Sequence, residues 1–317
     1  MPNTKKRSEQ RSSCERAFLV TIPESQLETW SKQGSVTQSS TTYQIIRNAL
    51  LDAKAVYADK TFEVFLQGSY GNDTNIYAES DVDTVMRLDS IYSYSIKDLP
   101  PEQQEAFQRD FSAATYTFAE FKQGVVTRLS NAFGADNVTP GNKAVRIKAN
   151  GSRRSADVVV CYQYRRYLRY KSAKDYEYVP GVIFPSKSDG DIINYPKRHS
   201  ENCTAKHQAT HNNFKPLVRI FKNMRGKLEA DALITKGVAP SYFIEGLLYN
   251  VPNSHFSGKY ADMASNILKW LQETTDRTKF VCVNEQYYLL RNDIAVCWPV
   301  VNGEKFIKAA IQLWNNW

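Results

Sequence analysis

The sequence predicts an α+β protein of two lobes around a cleft, a mixed β-sheet lobe packed on a C-terminal helical bundle. Three observations carry this. Short runs rich in β-formers alternate with helical patterning up to about residue 195, and helical periodicity dominates from residue 196 onward. Between two of the β-runs, a small-residue turn, Gly68-Ser69, stands about a dozen residues ahead of paired aspartates.

A chain of 317 residues is long for one core, so two intimate lobes are expected. The division read from composition is 1–40, a flexible basic tail and N-terminal segment; 41–195, the sheet-bearing core; and 196–317, the helical domain. No run approaches eighteen apolar residues, which argues against a membrane span. The basic start, MPNTKKRSEQRSSCER, is followed by no apolar signal core. Five cysteines, odd in number and without a CxxC pair, argue against a disulfide framework and for a reducing cytoplasm. The formal charge of +8 suits a polyanionic partner, nucleoside triphosphates or nucleic acid.

Residues 41–58 place Ile45, Ile46, Ala49, Leu50, Ala53 and Val56 at helical spacing. Thr61–Gln67 follows as a strand that Gly68-Ser69 ends, and DVDTVMRL reads as the next strand. Pro-Pro, an acidic first turn and apolar periodicity predict one long helix from Pro101 to Phe133, interrupted near Gly124. AVRIKA, the turn NGSRRS and ADVVVCYQY read as a hairpin. Val179–Asn202, with its glycines and prolines, reads as loops and short strands at the boundary between lobes. Helical segments follow: TAKHQATHNNFKPLVRIFKNMRGKL as one helix or two, then APSYFIEGLLYNV, then MASNILKWLQETT.

Successive side chains in a strand face opposite ways, so Asp81 and Asp83 share a face and Val82 points away. A close pair of carboxylates repels unless a cation intervenes. Magnesium prefers such oxygen ligands together with substrate phosphates. A third carboxylate on a neighbouring strand permits two metals about 4 Å apart, the arrangement of in-line phosphoryl or nucleotidyl transfer. Asp157, the sole acidic residue of the hairpin, is the candidate. Gly68 lets backbone N–H groups approach phosphate oxygens, and the Ser69 hydroxyl adds a donor. A lone DxD on a loop says little, and a Gly-Ser turn less. Their combination with a third aspartate on a later strand is specific.

The wording LQGSYGNDTNIYAESDVD, followed by a distal ADVVV, resembles the nucleotidyltransferase superfamily that includes DNA polymerase β. The longer match QGSYGNDTNI…SDVD resembles the bacterial cGAS/DncV-like nucleotidyltransferases, which make cyclic oligonucleotide signals in anti-phage defence. The resemblance runs from about Thr41 to the C-terminus. It implies a polymerase β-like core, with Asp81, Asp83 and Asp157 binding two Mg²⁺ (or Mn²⁺ in their place), and Gln67, Gly68 and Ser69 at the triphosphate. It also implies NTP substrates and a cyclic-nucleotide-responsive effector downstream, while nucleic-acid activation is not expected.

In the helical half, Lys215, Arg219 and Lys222 recur at i, i+4 and i+7, a basic stripe beside an apolar face. In the animal cyclic GMP–AMP synthase a lysine of the comparable helix contacts the donor triphosphate. The resemblance transfers that role to Lys215 and Arg219, within one turn of register. Ser241-Tyr242 resembles the family's Ser-Tyr at a helix start, where the serine touches phosphate and the tyrosine stacks on a base; Ser241 is also a good N-cap residue by itself. His199, Cys203, His207 and His211 have a zinc-like spacing. On a continuous helix every fourth residue drifts by about 40°, so the four cannot meet on one ion and only His207 and His211 can pair. His199 and Asn202 also sit where relatives carry polar residues near the cleft.

The resulting expectation is a metal-dependent enzyme that joins NTPs into a cyclic di- or trinucleotide with release of pyrophosphate. The competing readings are a template-independent transferase acting on RNA or protein, and an inactive nucleic-acid-binding module. Base identity, linkage and ring size are not encoded in any motif. The ending QLWNNW lacks the small terminal residue through which some relatives are conjugated.

Overall fold

The computed structural model describes residues 22–77, 81–186 and 188–317. The basic tail expected over residues 1–16 lies outside them. Two helices come first, α1 (Glu24–Ser31) and α2 (Val36–Leu50), followed by β1 (Phe62–Leu66), the one-turn α3 (Gly68–Gly71) and β2 (Val82–Ser95). Next are α4 (Pro101–Asp110), α5 (Phe118–Phe133), β3 (Val138–Pro140), β4 (Val145–Ile147), β5 (Ala156–Ser172), β6 (Asp175–Ser186) and β7 (Gly190–Asn194). The helical lobe comprises α6 (Pro196–Ala209), α7 (Phe214–Ala230), α8 (Ser241–Tyr249), α9 (Tyr260–Glu273) and α10 (Val300–Asn315).

The seven strands form one mixed sheet. β2 runs antiparallel to β1 and parallel to β5. One edge of β5 is shared: residues 156–158 pair with β4, and residues from Tyr162 onward pair with β6. β2 and β5 are central strands, and strand alternation sorts their two faces. Val82, Met86, Leu88, Ala156, Val158 and Val160 face α2 and α5 in one core. The alternate residues Val85, Val159 and Cys161 pack on the opposite face with Val182 and Phe184. Asp83 and Asp157 belong to that second face.

The helical lobe has its own core, in which Phe214, Phe221, Phe243, Phe306 and Trp314 are fully buried. α1 is part of it: Ile22 and Leu27 are buried there, and Glu24 caps the start of α9 by accepting from Tyr260 N and Ala261 N at 2.8 Å each. The chain thus begins its described course in the helical lobe before it builds the sheet.

Several sequence expectations are corrected. α2 starts at Val36 and stops at Leu50, because Asp52 turns the chain by accepting from Lys54 N at 2.8 Å and pairing with Arg128. The long helix is two, and its break is at 111–117, where Thr117 and Glu120 form a capping box at the start of α5. Gly124 lies inside α5 as a close-packing position: a Cβ there would come within 2.7 Å of Val56 Cγ2. The Val179–Asn202 segment is mostly ordered strand and helix, β6, β7 and the first half of α6, with Pro196 starting that helix. α10 is an additional helix.

Candidate active site

A cleft of about 940 Å³ opens between the sheet and the helical lobe. The parallel register of β2 and β5 sets Asp83 directly beside Asp157, and the antiparallel register of β4 sets Arg146 on the other side of Asp157. Asp81, two residues ahead of Asp83, accepts a short hydrogen bond from Ser155 Oγ and lies 3.9 Å from Arg146 Nη2. All three aspartates line the cleft, as the sequence predicts. Burial, reinforced by the charge of Asp81, raises the Asp157 carboxyl above the usual range, against the opposing pull of Arg146. Three hard oxygen donors on one face of adjacent strands, all lining one cleft, are the ligand type a divalent cation takes.

The Gly-Ser turn faces this row. Gly68 has φ +67, in the left-handed region, and a Cβ on it would overlap Asp83 Oδ2. The turn is pinned to the strand by Gln67 N–H donating to Asp83 O at 3.1 Å. Gln67, Gly68 and Ser69 all line the cleft.

The basic stripe of α7 divides. Lys215 and Arg219 do not line the cleft: Lys215 pairs with Asp73 at 2.9 Å, and Arg219 donates to the carbonyl oxygens of Ser31 and Asp73. Lys222 is the member that reaches the turn, donating to Ser69 Oγ at 2.9 Å and Thr74 O at 2.8 Å while 0% exposed. Lys222 lies about one turn beyond Arg219 and about two beyond Lys215.

Ser241 and Tyr242 line the opposite wall. The N-cap of α8 is Pro240, so Ser241 is the first helical residue and does not cap it. The Tyr242 ring stacks on His199, centroids 5.2 Å apart and 29° between planes. His199 lines the cleft, whereas Asn202 is turned to Val283 O at 2.6 Å. Of the histidines considered for zinc, His207 is on α6 and His211 lies beyond its end with φ +50. His199 and Cys203 instead meet Glu245 of α8, with ligand atoms within 4.8 Å of one another. The Glu245 oxygens already accept from Thr74 Oγ1, Asn72 Nδ2 and His199 Nε2. Burial pushes the Glu245 carboxyl up, but the His199 hydrogen bond and charge, Lys222 and the Thr74 hydroxyl outweigh it and hold it ionised, below its ordinary range.

A mixed sheet presenting a Gly-Ser turn and a row of carboxylates to a helical lobe defines the polymerase β-like nucleotidyltransferase class. A family model for the cGAS/DncV-like nucleotidyltransferase C-terminal helical domain matches residues 201–315, and the cyclic nucleotide synthase CdnE01 of Staphylococcus haemolyticus is 38% identical over 94% of this chain and 100% of its own. The chain belongs to the cGAS/DncV-like nucleotidyltransferases and is an enzyme of that cyclic-nucleotide-synthase family. The cyclic UMP-AMP synthase of Rhodothermus marinus is 39% identical over 93% of this chain and 99% of its own. Its structure with Apcpp and Upnpp superposes with a TM-score of 0.83, covering 93% of this chain and 97% of that one. CdnE of Elizabethkingia meningoseptica, solved with GTP and Apcpp, gives 30% identity and a TM-score of 0.72 over 91% and 97%. Among the described residues no helix is long and apolar enough to cross a membrane.

Proposed function

We propose that this protein condenses nucleoside triphosphates into a cyclic dinucleotide, with one pyrophosphate released for each phosphodiester bond made. The observation that carries the reading is the side-by-side register of Asp83 and Asp157 opposite the Gly68-Ser69 turn within one cleft. Asp81, Asp83 and Asp157 would hold two metal ions, Mg²⁺ in the cell with Mn²⁺ able to replace it. The ions would make the ribose hydroxyl more acidic and neutralise the departing pyrophosphate. Gln67, Gly68 and Ser69 cradle the triphosphate, and Lys222 steadies Ser69 from behind. Asp157 is the carboxylate that would take the proton of the attacking hydroxyl. Tyr242 supplies a face on which a base stacks, and Ser241 lies beside it as a further polar contact. A second transfer, after the linear intermediate has turned over, closes the ring.

The relatives differ in the bases they join, among them UMP with AMP and a dipurine product. A cyclic nucleotide product is supported by all of them, a dinucleotide by those named for two bases, and the bases are left to measurement. We further propose a role in anti-phage signalling, through an effector that responds to the cyclic product.

Purified protein incubated with Mg²⁺ and labelled NTPs should release pyrophosphate and form small phosphatase-resistant products, and chelation should stop it. Label arriving on RNA or protein instead would point to a transferase of macromolecules. Unchanged product from the Asp81→Ala, Asp83→Ala double variant would overturn the assignment.

A further inference from the structure

Glu245 belongs to neither the carboxylate row nor the Gly-Ser turn, yet it is bonded to the supports of the turn and of the Tyr242 ring. It sits on α8, 2% exposed, one turn beyond Tyr242. On the sheet side it accepts from the Thr74 hydroxyl and from Asn72 Nδ2 at 3.3 Å. Thr74 N–H in turn donates to Ser69 O at 2.8 Å, and Thr74 O accepts from Lys222, which also holds Ser69 Oγ. On the helical side Glu245 Oε2 lies 2.7 Å from His199 Nε2. An ionised carboxylate only accepts, so Nε2 carries a proton, and this bond fixes the plane of the ring stacked on Tyr242.

We propose that Glu245 is a positioning residue for the nucleotide: through Thr74 it fixes the Gly68-Ser69 turn, and through His199 it fixes the Tyr242 ring, so both walls of the cleft answer to one carboxylate. The statement that these walls hold a nucleotide rests on the nucleotidyltransferase reading above. Three donors converge on two oxygens, and only a carboxylate can accept all three. Glutamine has the same volume, but its amide turns one acceptor into a donor. Either the amide meets Asn72 or His199 donor to donor, or it faces Thr74, whose hydroxyl must then accept instead of donate.

The test measures binding of the ATP analogue Apcpp with Mg²⁺ to the full chain by calorimetry, so turnover is not needed. Glu245→Gln is expected to weaken binding by about tenfold or more. Thr74→Val should weaken it in the same direction and Thr74→Ser should recover most of the loss, because serine returns the hydroxyl. In a Tyr242→Leu background the Glu245→Gln effect should shrink, since part of its route is gone. Binding by Glu245→Gln within about twofold of the parent, or effects of the two substitutions that simply multiply, would overturn the proposal. Should Glu245→Gln not fold, the Thr74 pair decides: equal affinities for valine and serine overturn it. Product formation by the unmodified protein tests the underlying reading separately. A protein that makes cyclic product but is indifferent to Glu245 sinks the positioning role alone, and one that binds no nucleotide sinks both.

Discussion

Lys222 donates to Ser69 Oγ at 2.9 Å from a position with none of its surface exposed. A buried ammonium is expensive unless its protons are placed, and here two of them go to the turn and its continuation. Lys222→Met keeps the stem and removes the charge. It is expected to raise KM for NTPs by roughly 10- to 100-fold, the range of a lost charge-assisted hydrogen bond. Lys215→Met, which breaks only the Asp73 pair, should stay within about threefold of the parent in KM. Steady-state kinetics on both variants decide whether the buried or the peripheral lysine serves the site.

Gly68→Ala carries two penalties. A left-handed backbone costs about 1–2 kcal/mol for a residue with a Cβ. The new methyl also displaces the Asp83 carboxylate that now packs against the glycine. Denaturant unfolding should show a loss of roughly that size, and turnover should fall by more than stability accounts for, on the order of a hundredfold.

Asp157→Asn should inactivate and stabilise together. The folded state holds this carboxyl with a raised pKa, so ionising it costs folding energy once the pH passes through that pKa. The cost is present at neutral pH and absent below the ordinary aspartate range. Metal-free melting curves should therefore show the asparagine variant about 1–3 °C above the parent at pH 7, with the gap closing in acid. Turnover should drop on the order of 10²- to 10⁴-fold. A variant that melts lower than the parent at neutral pH would contradict the charge assignment.

Arg146→Ala removes the cation that pulls the Asp157 carboxyl down. In metal-free protein the pKa should rise further, which an NMR titration of the Asp157 carboxyl without Mg²⁺ reads directly. Arg146 is well exposed, so the displacement should be a fraction of a pH unit.

The parts of the site within one lobe were legible in the sequence because they follow from strand alternation and turn chemistry. Asp81, Asp83, Asp157 and the Gly-Ser turn needed only periodicity and a hairpin to fall together. The basic stripe was legible as a face, but which of its members meets Ser69 depends on how α7 docks against the sheet lobe. That docking is a tertiary fact, and it selects Lys222 over Lys215 and Arg219. Glu245 was missed for the same reason, since its partners are remote in sequence: Asn72, Thr74 and His199. Other misses had signals that could have been read. Thr117-x-x-Glu120 is a capping-box pattern that marks the start of α5, whereas Gly124 drew attention as a breaker although it serves close packing. β2 outruns its expected end because Tyr92 to Ser95 pair with β5 past the irregularity after Leu88, and β5 outruns its own by pairing with β6 as far as Ser172.

The shared edge of β5 makes that strand a beam with chemistry at one end only. Asp157 stands near its start, while Ser172 ends it beside the turn into β6, fifteen residues away and roughly 50 Å at about 3.3 Å per residue along an extended strand. The turn residues Ala173 and Lys174 are exposed. A fluorophore or affinity handle grafted there would ride on a rigid arm far from the carboxylates, giving a tether for following the enzyme at work without touching what it does.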